Sequence, residues 1–363
     1  MRATGMATTT DAEGRAEAQG RPVLETAGLA VGFRAFRRAP LEVLSGLDLR
    51  VEAGEFVCLV GPNGTGKSTL LRTLAGLQRP LRGQVWLGGR ELAQLGRLDV
   101  ARRVSVVLTT REDLGLLSAY QVVSLGRFPH TGWVGRLQQR DRDIVGWAIR
   151  AVGVRELAER PVAELSDGER QRVLIARALA QEPGIMLLDE ATAFLDVSAR
   201  VEITSLLRRL AREQGVGIVL TTHDLELALQ TARTVWLLDK EGRLQAGTPE
   251  ELVLSGAVAG TFRGAELSFD EAARSFRVRW QSGGRAWLWG GEGDELGLAM
   301  TRALLEREGF ALVRGGGDTR GVVEVELQSA EAERRWVVRV GGAKWEAGSL
   351  GEVAALVRGS QVS

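Results

Sequence analysis

The chain carries one cysteine, Cys58, in 363 residues. A lone cysteine cannot close an intramolecular disulfide and argues against a cysteine-built zinc site. Histidine is nearly as scarce, His130 and His223 alone, so no histidine cluster is available to hold a metal. Long apolar runs are missing as well. Nothing approaches the ~18 consecutive apolar residues of a membrane span, and the longest runs, Phe56–Val60 and Ile185–Leu188, are strand-sized. Neither sign of charge is in surplus: 47 Lys+Arg against 46 Asp+Glu leaves +1, which gives no pull toward nucleic acid and no acidic tail. The basic residues are almost all arginine. Lysine occurs only at Lys67, Lys240 and Lys344, which makes Lys67 conspicuous.

What remains is the mixture of a soluble globular protein, 44% hydrophobic and 26% charged, long enough for two domains at roughly 100–200 residues each. Residues 1–22 are rich in Ala, Thr, Gly and charge and lack an apolar stretch. They read as a disordered leader and not as a secretory signal. Residues 23–263 alternate buried-type strands with helices. Strands are expected at 55–60, 104–108, 185–189, 216–221 and 234–239, and helices at 68–77, 140–152, 167–181, 198–214 and 225–231. Continuous apolar strands alternating with helices predict a parallel sheet covered on both faces. From residue 264 the pattern becomes α+β. Phe276–Trp280 and Arg335–Val340 alternate with period two, and Gly341-Gly342 predicts a hairpin turn into Ala343–Glu346. A helix is expected over 294–308 with Leu296, Met300, Ala303 and Leu304 on one face. A second opens at Ser349 with Glu352 completing a capping box. Five of the nine tryptophans fall in this region: Trp280, Trp287, Trp289, Trp336 and Trp345.

Four motifs carry chemistry. Gly61-Pro62-Asn63-Gly64-Thr65-Gly66-Lys67-Ser68-Thr69 stands between a predicted strand and helix, as a phosphate-binding loop must. Its glycines let backbone N–H groups surround phosphate oxygens and the helix dipole favours the anion. Lys67 would reach the β- and γ-phosphates, and Ser68 would hold Mg²⁺. Ile185–Leu188 ends in Asp189 and Glu190, at the sheet edge where ligands bind in open α/β folds. Asp189 suits Mg²⁺ and Glu190 suits general-base work on a water. Leu165-Ser166-Asp167-Gly168-Glu169 opens a helix and, alone, reads as a helix cap. His223 follows the strand 216–221, structural by itself but at the same sheet edge as the carboxylates.

Their order and spacing, with Phe194-Leu195-Asp196 between the last two, resemble the nucleotide-binding subunits of ABC transporters over about Val23–Gly260. The resemblance implies a P-loop NTPase (ABC ATPase) α/β core with a helical subdomain at about 109–180, followed by a small C-terminal α+β domain. It implies an ATPase using ATP and Mg²⁺, with Lys67, Glu190 and His223 catalytic. Two copies would pack head to tail, the nucleotide lying between the loop of one and Ser166, Gly168 and Glu169 of the other, with Asp196 joining the sites. Phe33 would stack on adenine, unless it is simply a core phenylalanine at a strand end. The family's usual Gln that contacts Mg²⁺ falls at Thr109, whose hydroxyl is shorter. Its usual Pro after the catalytic Glu is Ala191, and Asp167 and Glu169 replace the Gly and Gln of its Leu-Ser-Gly-Gly-Gln motif.

Gly126-Arg-Phe-Pro-His-Thr-Gly-Trp133 resembles the branch that imports iron–siderophore, haem and cobalamin complexes. That implies membrane permease partners, an extracytoplasmic substrate-binding protein at one remove, and a peripheral place on the cytoplasmic face of the membrane. His130 reads as a loop or permease-contact residue and not an iron ligand. Other expectations are open: an ABC ATPase with another substrate, or a nucleotide-dependent scaffold of weak turnover. The region 264–363 has 13 basic and 15 acidic residues, so nucleic acid is not expected as its partner; it is expected to dimerise or regulate. Trp287 and Trp289 either fill its core or bind a ligand.

Overall fold

The computed structural model describes residues 22–34, 39–108, 114–132, 135–262, 267–270, 275–278, 284–313, 322–330 and 333–359. Thr109, Trp133, Trp280, nearly all of the expected leader and the expected boundary at 264 lie outside them. The chain divides into two compact units, the first reaching residue 263 and the second taking most of the rest.

The first unit holds two sheets. Strands β1 (Leu24–Phe33), β2 (Leu41–Leu47), β3 (Arg50–Val51), β4 (Phe56–Val60), β5 (Arg82–Leu87), β6 (Arg90–Glu91), β7 (Val104–Val107), β8 (Ile185–Leu188), β9 (Gly217–Thr222), β10 (Thr234–Leu238) and β11 (Leu244–Gly247) divide between them. The six-stranded sheet has the order β11-β10-β4-β9-β8-β7. It is parallel except for β11, which turns back antiparallel on β10. Its strands are buried throughout at β4, β8 and β9, which is why they read as unbroken apolar runs and not as alternating ones. The second sheet, β2-β1-β5-β6 with β3 also on β1, is antiparallel. The sequence pattern gave no sign of it: Leu41–Leu47 and Arg82–Leu87 each expose several residues and mix polar with apolar ones.

The helices are α1 (Lys67–Leu74), α2 (Arg97–Ala101), α3 (Ala119–Ser124), α4 (Gln139–Ala151), α5 (Asp167–Ala180), α6 (Val197–Gln214), α7 (Leu225–Thr231), α8 (Pro249–Leu254) and α9 (Ala257–Thr261). Leu70, Leu71 and Leu74 of α1 enter the core shared by the two sheets, against Leu29, Leu44, Val57, Leu59 and Trp236. Helices α3, α4 and α5 pack together. Gly126, in the 3₁₀ stretch Leu125–His130, lies so close to α5 that an added Cβ would sit 2.1 Å from the Arg177 carbonyl oxygen.

Register fixes the site. Val60 of β4 stands opposite Thr222 of β9, and Leu188 of β8 opposite Leu220. The residues that follow β4, β8 and β9 therefore leave the sheet along one edge: Gly61, Asp189 and His223.

After the short pair β12 (Leu267–Asp270) and β13 (Ser275–Val278), the described residues of the second unit form a five-stranded sheet with two helices. Its strands are β14 (Gly284–Gly290), β15 (Phe310–Leu312), β16 (Val322–Ala330), β17 (Glu333–Val340) and β18 (Ala343–Ala347), in the order β15-β14-β16-β17-β18. Its helices are α10 (Glu295–Arg307) and α11 (Leu350–Gly359). Leu304, Leu305, Val353 and Val357 of the helices pack on Val323, Val325, Leu327, Trp336 and Val338 of the sheet.

The buried face of α10 is offset from the stripe Leu296, Met300, Ala303 and Leu304. Leu296 and Met300 are exposed, and Gly297, Thr301, Leu304 and Leu305 are buried. A polar contact and a close approach turn the helix: the Trp336 Nε1–H donates to Thr301 Oγ1 at 2.8 Å, and a Cβ on Gly297 would meet Leu327 at 2.9 Å. The turn at Gly341-Gly342 forms as expected, with φ of +57° and +90°. Trp287 and Trp289 stack on each other with centroids 4.2 Å apart, and the Arg339 guanidinium lies 5.4 Å from the Trp289 ring.

Candidate active site

The loop from Gly61 to Lys67 is shaped by what glycine alone permits. Gly64 and Gly66 have φ of +77° and +104°, in the region L side chains avoid. A Cβ on Gly61 would lie 2.4 Å from the Leu238 carbonyl oxygen. Lys67 is buried and folds back over the loop, its Nζ donating to the carbonyl oxygens of Gly61 and Pro62, both at 2.8 Å. Burial lowers its pKa, against the pull of the nearby Glu190 and Asp189 carboxylates. Thr65 Oγ1 donates to the Pro62 carbonyl at 2.9 Å and closes the turn. The structure assigns Asn63 and Thr69 no comparable contact through their side chains, though the Thr69 carbonyl accepts from Thr73.

Across the edge, Ser68 Oγ donates to Asp189 Oδ1 at 3.1 Å. Thr221 Oγ1 donates to the same oxygen at 2.9 Å and accepts from the Glu190 backbone N–H at 2.7 Å. Glu190 itself has φ of +48°, a strained position for a residue with a side chain, of the sort that clusters at functional sites. Its Oε1 meets His223 Nε2 at hydrogen-bond distance. Lys67 and Ser68 at the start of α1, Asp189 and Glu190 after β8, and His223 after β9 are thus brought together. Thr221 is the residue the sequence reading missed. The signal available was a hydroxyl two residues before His223 at the end of an otherwise apolar run, and spacing alone does not separate it from the adjacent Thr222.

Asp189 and Ser68 offer a carboxylate and a hydroxyl 3.1 Å apart. Hard oxygen donors in this number suit Mg²⁺, which keeps several waters and takes further oxygens from phosphate. Among the described residues no group of three or more His, Cys, Asp and Glu could hold a metal ion.

Phe33 is half exposed at the end of β1, in register with Leu41. Two residues along β2, Val43 Cγ1 lies 2.5 Å from where a Cβ of Gly66 would be, so this strand end borders the loop. Ser166 and Glu169 bond to each other and not to the loop. Glu169 Oε2 accepts from Ser166 N at 2.9 Å and Oγ at 2.8 Å, and Ser166 Oγ accepts from Glu169 N at 3.3 Å. Those hydrogen bonds, the backbone one first, hold the Glu169 carboxyl below its ordinary pKa. Gly168 lies beside Ala199, 3.5 Å from an added Cβ. Asp196 caps α6 by accepting from Ala199 N at 2.7 Å. His130 Nε2 meets the Gln181 carbonyl at 3.0 Å.

Comparison with known proteins places the chain in a family. The ABC transporter family model matches residues 44–193. An uncharacterized ABC transporter ATP-binding protein of Methanocaldococcus jannaschii is 40% identical over 257 residues, covering 71% of this chain and 87% of that protein. The iron(3+)-hydroxamate import ATP-binding protein of Bacillus subtilis is 37% identical over 240 residues, 66% of this chain and 87% of its own. Among solved structures, an inward-facing ABC transporter described as of the metal-chelate type superposes with TM-score 0.58 at 26% identity, covering 71% of this chain and 96% of that one. A dimeric bacterial ABC transporter cassette superposes with TM-score 0.53 at 26% identity, over 62% and 98%. The chain belongs to the ATP-binding subunits of ABC transporters, which are ATPases. Among the described residues no helix is long and apolar enough to cross a membrane.

Proposed function

We propose that this chain hydrolyses ATP to energise import of a metal complex of the iron–siderophore, haem or cobalamin type through a membrane permease. The observation that carries the catalytic reading is the chain of contacts Ser68–Asp189–Thr221–Glu190–His223 beside the Gly61–Ser68 loop. In this reading Glu190 takes the proton of the attacking water, and His223 orients the Glu190 carboxylate and contacts the γ-phosphate. Lys67 leaves the Gly61 and Pro62 carbonyls for the β- and γ-phosphates. Loop N–H groups from Gly64 to Thr69 bind phosphate oxygens and Phe33 stacks on adenine. Ser68 and Asp189 would hold Mg²⁺, with any share from Thr109 left to its hydroxyl. Bound Mg²⁺ supplies charge neutralisation at the phosphates.

The site is completed by a second copy. Ser166, Gly168 and Glu169 of one chain face the nucleotide on the other, and Asp196 connects the two sites. The likeness to a dimeric cassette supports this. The exposed Leu116, and the exposed Phe128 within the stretch 126–133, support contact with permease subunits at the cytoplasmic membrane face. An extracytoplasmic binding protein would deliver the cargo. The similarity to an iron(3+)-hydroxamate import protein supports the cargo class.

The test has two arms. The purified chain should hydrolyse ATP, and Glu190→Gln should not. Cells lacking this chain should lose uptake of ⁵⁵Fe–hydroxamate, labelled haem and labelled cobalamin in at least one case, and regain it with the wild type alone. Equal ATPase rates in wild type and Glu190→Gln would overturn the catalytic assignment, and unimpaired uptake of all three would overturn the cargo class.

A further inference from the structure

Among the described residues, the second unit ends its sheet on a strand with no partner strand on its outer side. β18 is paired only with β17, and among the described residues no strand lies on its other edge. Such an edge presents free N–H and C=O groups to any chain that can align with them. Most edges are blunted by their side chains. This one has a sequence that is complementary to itself.

The register of the hairpin fixes which groups are free. The two-residue turn Gly341-Gly342 has positive φ at both positions, as a type I′ turn does, and joins Val340 to Ala343. The flanking pair of such a turn is a hydrogen-bonded pair, and pairs alternate from there. Ala343, Trp345 and Ala347 therefore turn their backbone groups toward β17. Lys344 and Glu346 turn theirs outward. The side chains alternate the other way: Trp345 shares the helix-covered face with the buried Ala347 and stays 41% exposed, and the side chains of Lys344 and Glu346 are 56% and 68% exposed on the opposite face.

We propose that two copies of this chain pair antiparallel through β18 about a two-fold axis at Trp345. In that register Lys344 of each copy is opposite Glu346 of the other, in hydrogen-bonded pairs that make four backbone hydrogen bonds. Opposite charges therefore meet twice across the axis, and such cross-strand pairs are favourable where like pairs are not. Trp345 meets its own counterpart in a non-hydrogen-bonded pair, where side chains stand closest. Ala343 meets Ala347, so nothing bulky obstructs the ends. The sequence Ala-Lys-Trp-Glu-Ala reads the same from either end once charge is inverted, which is what an isologous contact requires. The two five-stranded sheets join into one of ten strands, and the contact closes without leaving a further edge on that side.

The pairing is tested in the full-length chain without nucleotide, so that it is read apart from any ATP-dependent closure of the first unit. The only native cysteine, Cys58, is fully buried, so an introduced cysteine reports alone. At Trp345→Cys the two Cα atoms would be about 4.5 Å apart, within the range a disulfide spans. At Glu346→Cys the residues are staggered by two positions, about 8 Å, beyond that range. Mild oxidation should cross-link Trp345→Cys at least tenfold faster than Glu346→Cys. Sedimentation should show Lys344→Glu and Glu346→Lys each weakening self-association at least tenfold. Their double substitution should restore it, and a mixture of the two single variants should form heterodimers. Equal or absent cross-linking at the two cysteines overturns the proposal, as does a double variant no better than the singles. Far-ultraviolet circular dichroism of each variant, matched to wild type, keeps misfolding out of the comparison.

Discussion

Arg127 ties the stretch Leu125–His130 to the end of the helix that Ser166 opens, and replacing it with methionine tests how firmly. Its side chain is 3% exposed and that of Asp141 is 9% exposed. Nε donates to Asp141 Oδ1 at 2.9 Å, and one terminal nitrogen donates to the Ala180 carbonyl at 2.8 Å and to Glu182 Oε2 at 2.7 Å. Asp141 also accepts from the Gln138 backbone N–H at 2.9 Å, at the start of α4. One guanidinium thus joins α4, the end of α5 and Glu182, which has φ of +51°. Methionine keeps most of the packed stem and removes every donor. Removing one partner of a buried pair costs about 3–5 kcal/mol, because the other charge stays behind. The lower figure corresponds to roughly a hundredfold faster amide exchange if the helices open as a unit.

The assay is hydrogen exchange read by mass spectrometry over residues 139–151 and 167–180. Arg127→Met should accelerate both segments by that factor, and Arg127→Lys should recover only part, since a single ammonium nitrogen lacks the fork by which Nε and a terminal nitrogen reach separate acceptors. The pH dependence carries a sign. Burial raises the Asp141 pKa, but hydrogen bonds from Gln138 N and Arg127 with the Arg127 charge outweigh it, and the net shift is downward from 3.8. A carboxyl lowered in the folded state contributes stability that is full above its unfolded pKa and lost as pH falls through the folded value. Protection should therefore hold down to about pH 4 in the wild type and decline below it, whereas in Arg127→Met, with the guanidinium's downward pull on Asp141 removed, that acid-side decline should be smaller. A change under threefold at neutral pH would refute the reasoning, since it would mean that water already screens the pair.

Three further outcomes are expected. Thr221→Val should lower kcat about ten- to a hundredfold with KM for ATP changed little, because the hydroxyl fixes Asp189 and the Glu190 backbone without touching nucleotide; Thr221→Ser should recover most of the rate, and a rise in KM at unchanged kcat would contradict this. Gly61→Ala should abolish binding of a fluorescent ATP analogue, since its Cβ would sit 2.4 Å from the Leu238 carbonyl oxygen; retained affinity would show that the loop can give way. Thr301→Val should destabilise the second unit by about 1–3 kcal/mol, the cost of leaving the buried Trp336 N–H unpaired, and Trp336→Phe in the same background should add little; a calorimetric transition unmoved by Thr301→Val would count against the bond.

The parallel sheet and its loop were legible because their constraints are local and covalent. Gly61, Gly64 and Gly66 stand where backbone geometry or a neighbouring carbonyl forbids a Cβ, and such positions leave glycines in the sequence at fixed spacing. Asp189 and Glu190 follow an apolar run because β8 is buried on both faces. Thr221 left no such trace. Its importance comes from register: β8 and β9 are parallel neighbours, and that pairing brings its hydroxyl to Asp189 and to the Glu190 amide. Nothing in thirty residues of intervening sequence encodes that meeting.

The same reasoning accounts for α10. Leu296, Met300, Ala303 and Leu304 make a helical stripe, and burial of apolar side chains predicts that this stripe faces inward. The buried face is instead set by Gly297, Thr301, Leu304 and Leu305. A tryptophan whose N–H must be paired once buried needs an acceptor at the helix surface, and Thr301 provides it only if the helix turns by about one position. The close seat of Gly297 on Leu327 works in the same direction. The hydrophobic term was read correctly in kind and was outweighed by one polar requirement, leaving Leu296 and Met300 outside. Periodicity counts how many apolar residues a helix offers; which of them it buries is decided by the polar group across the interface, and that partner is 35 residues away in the chain.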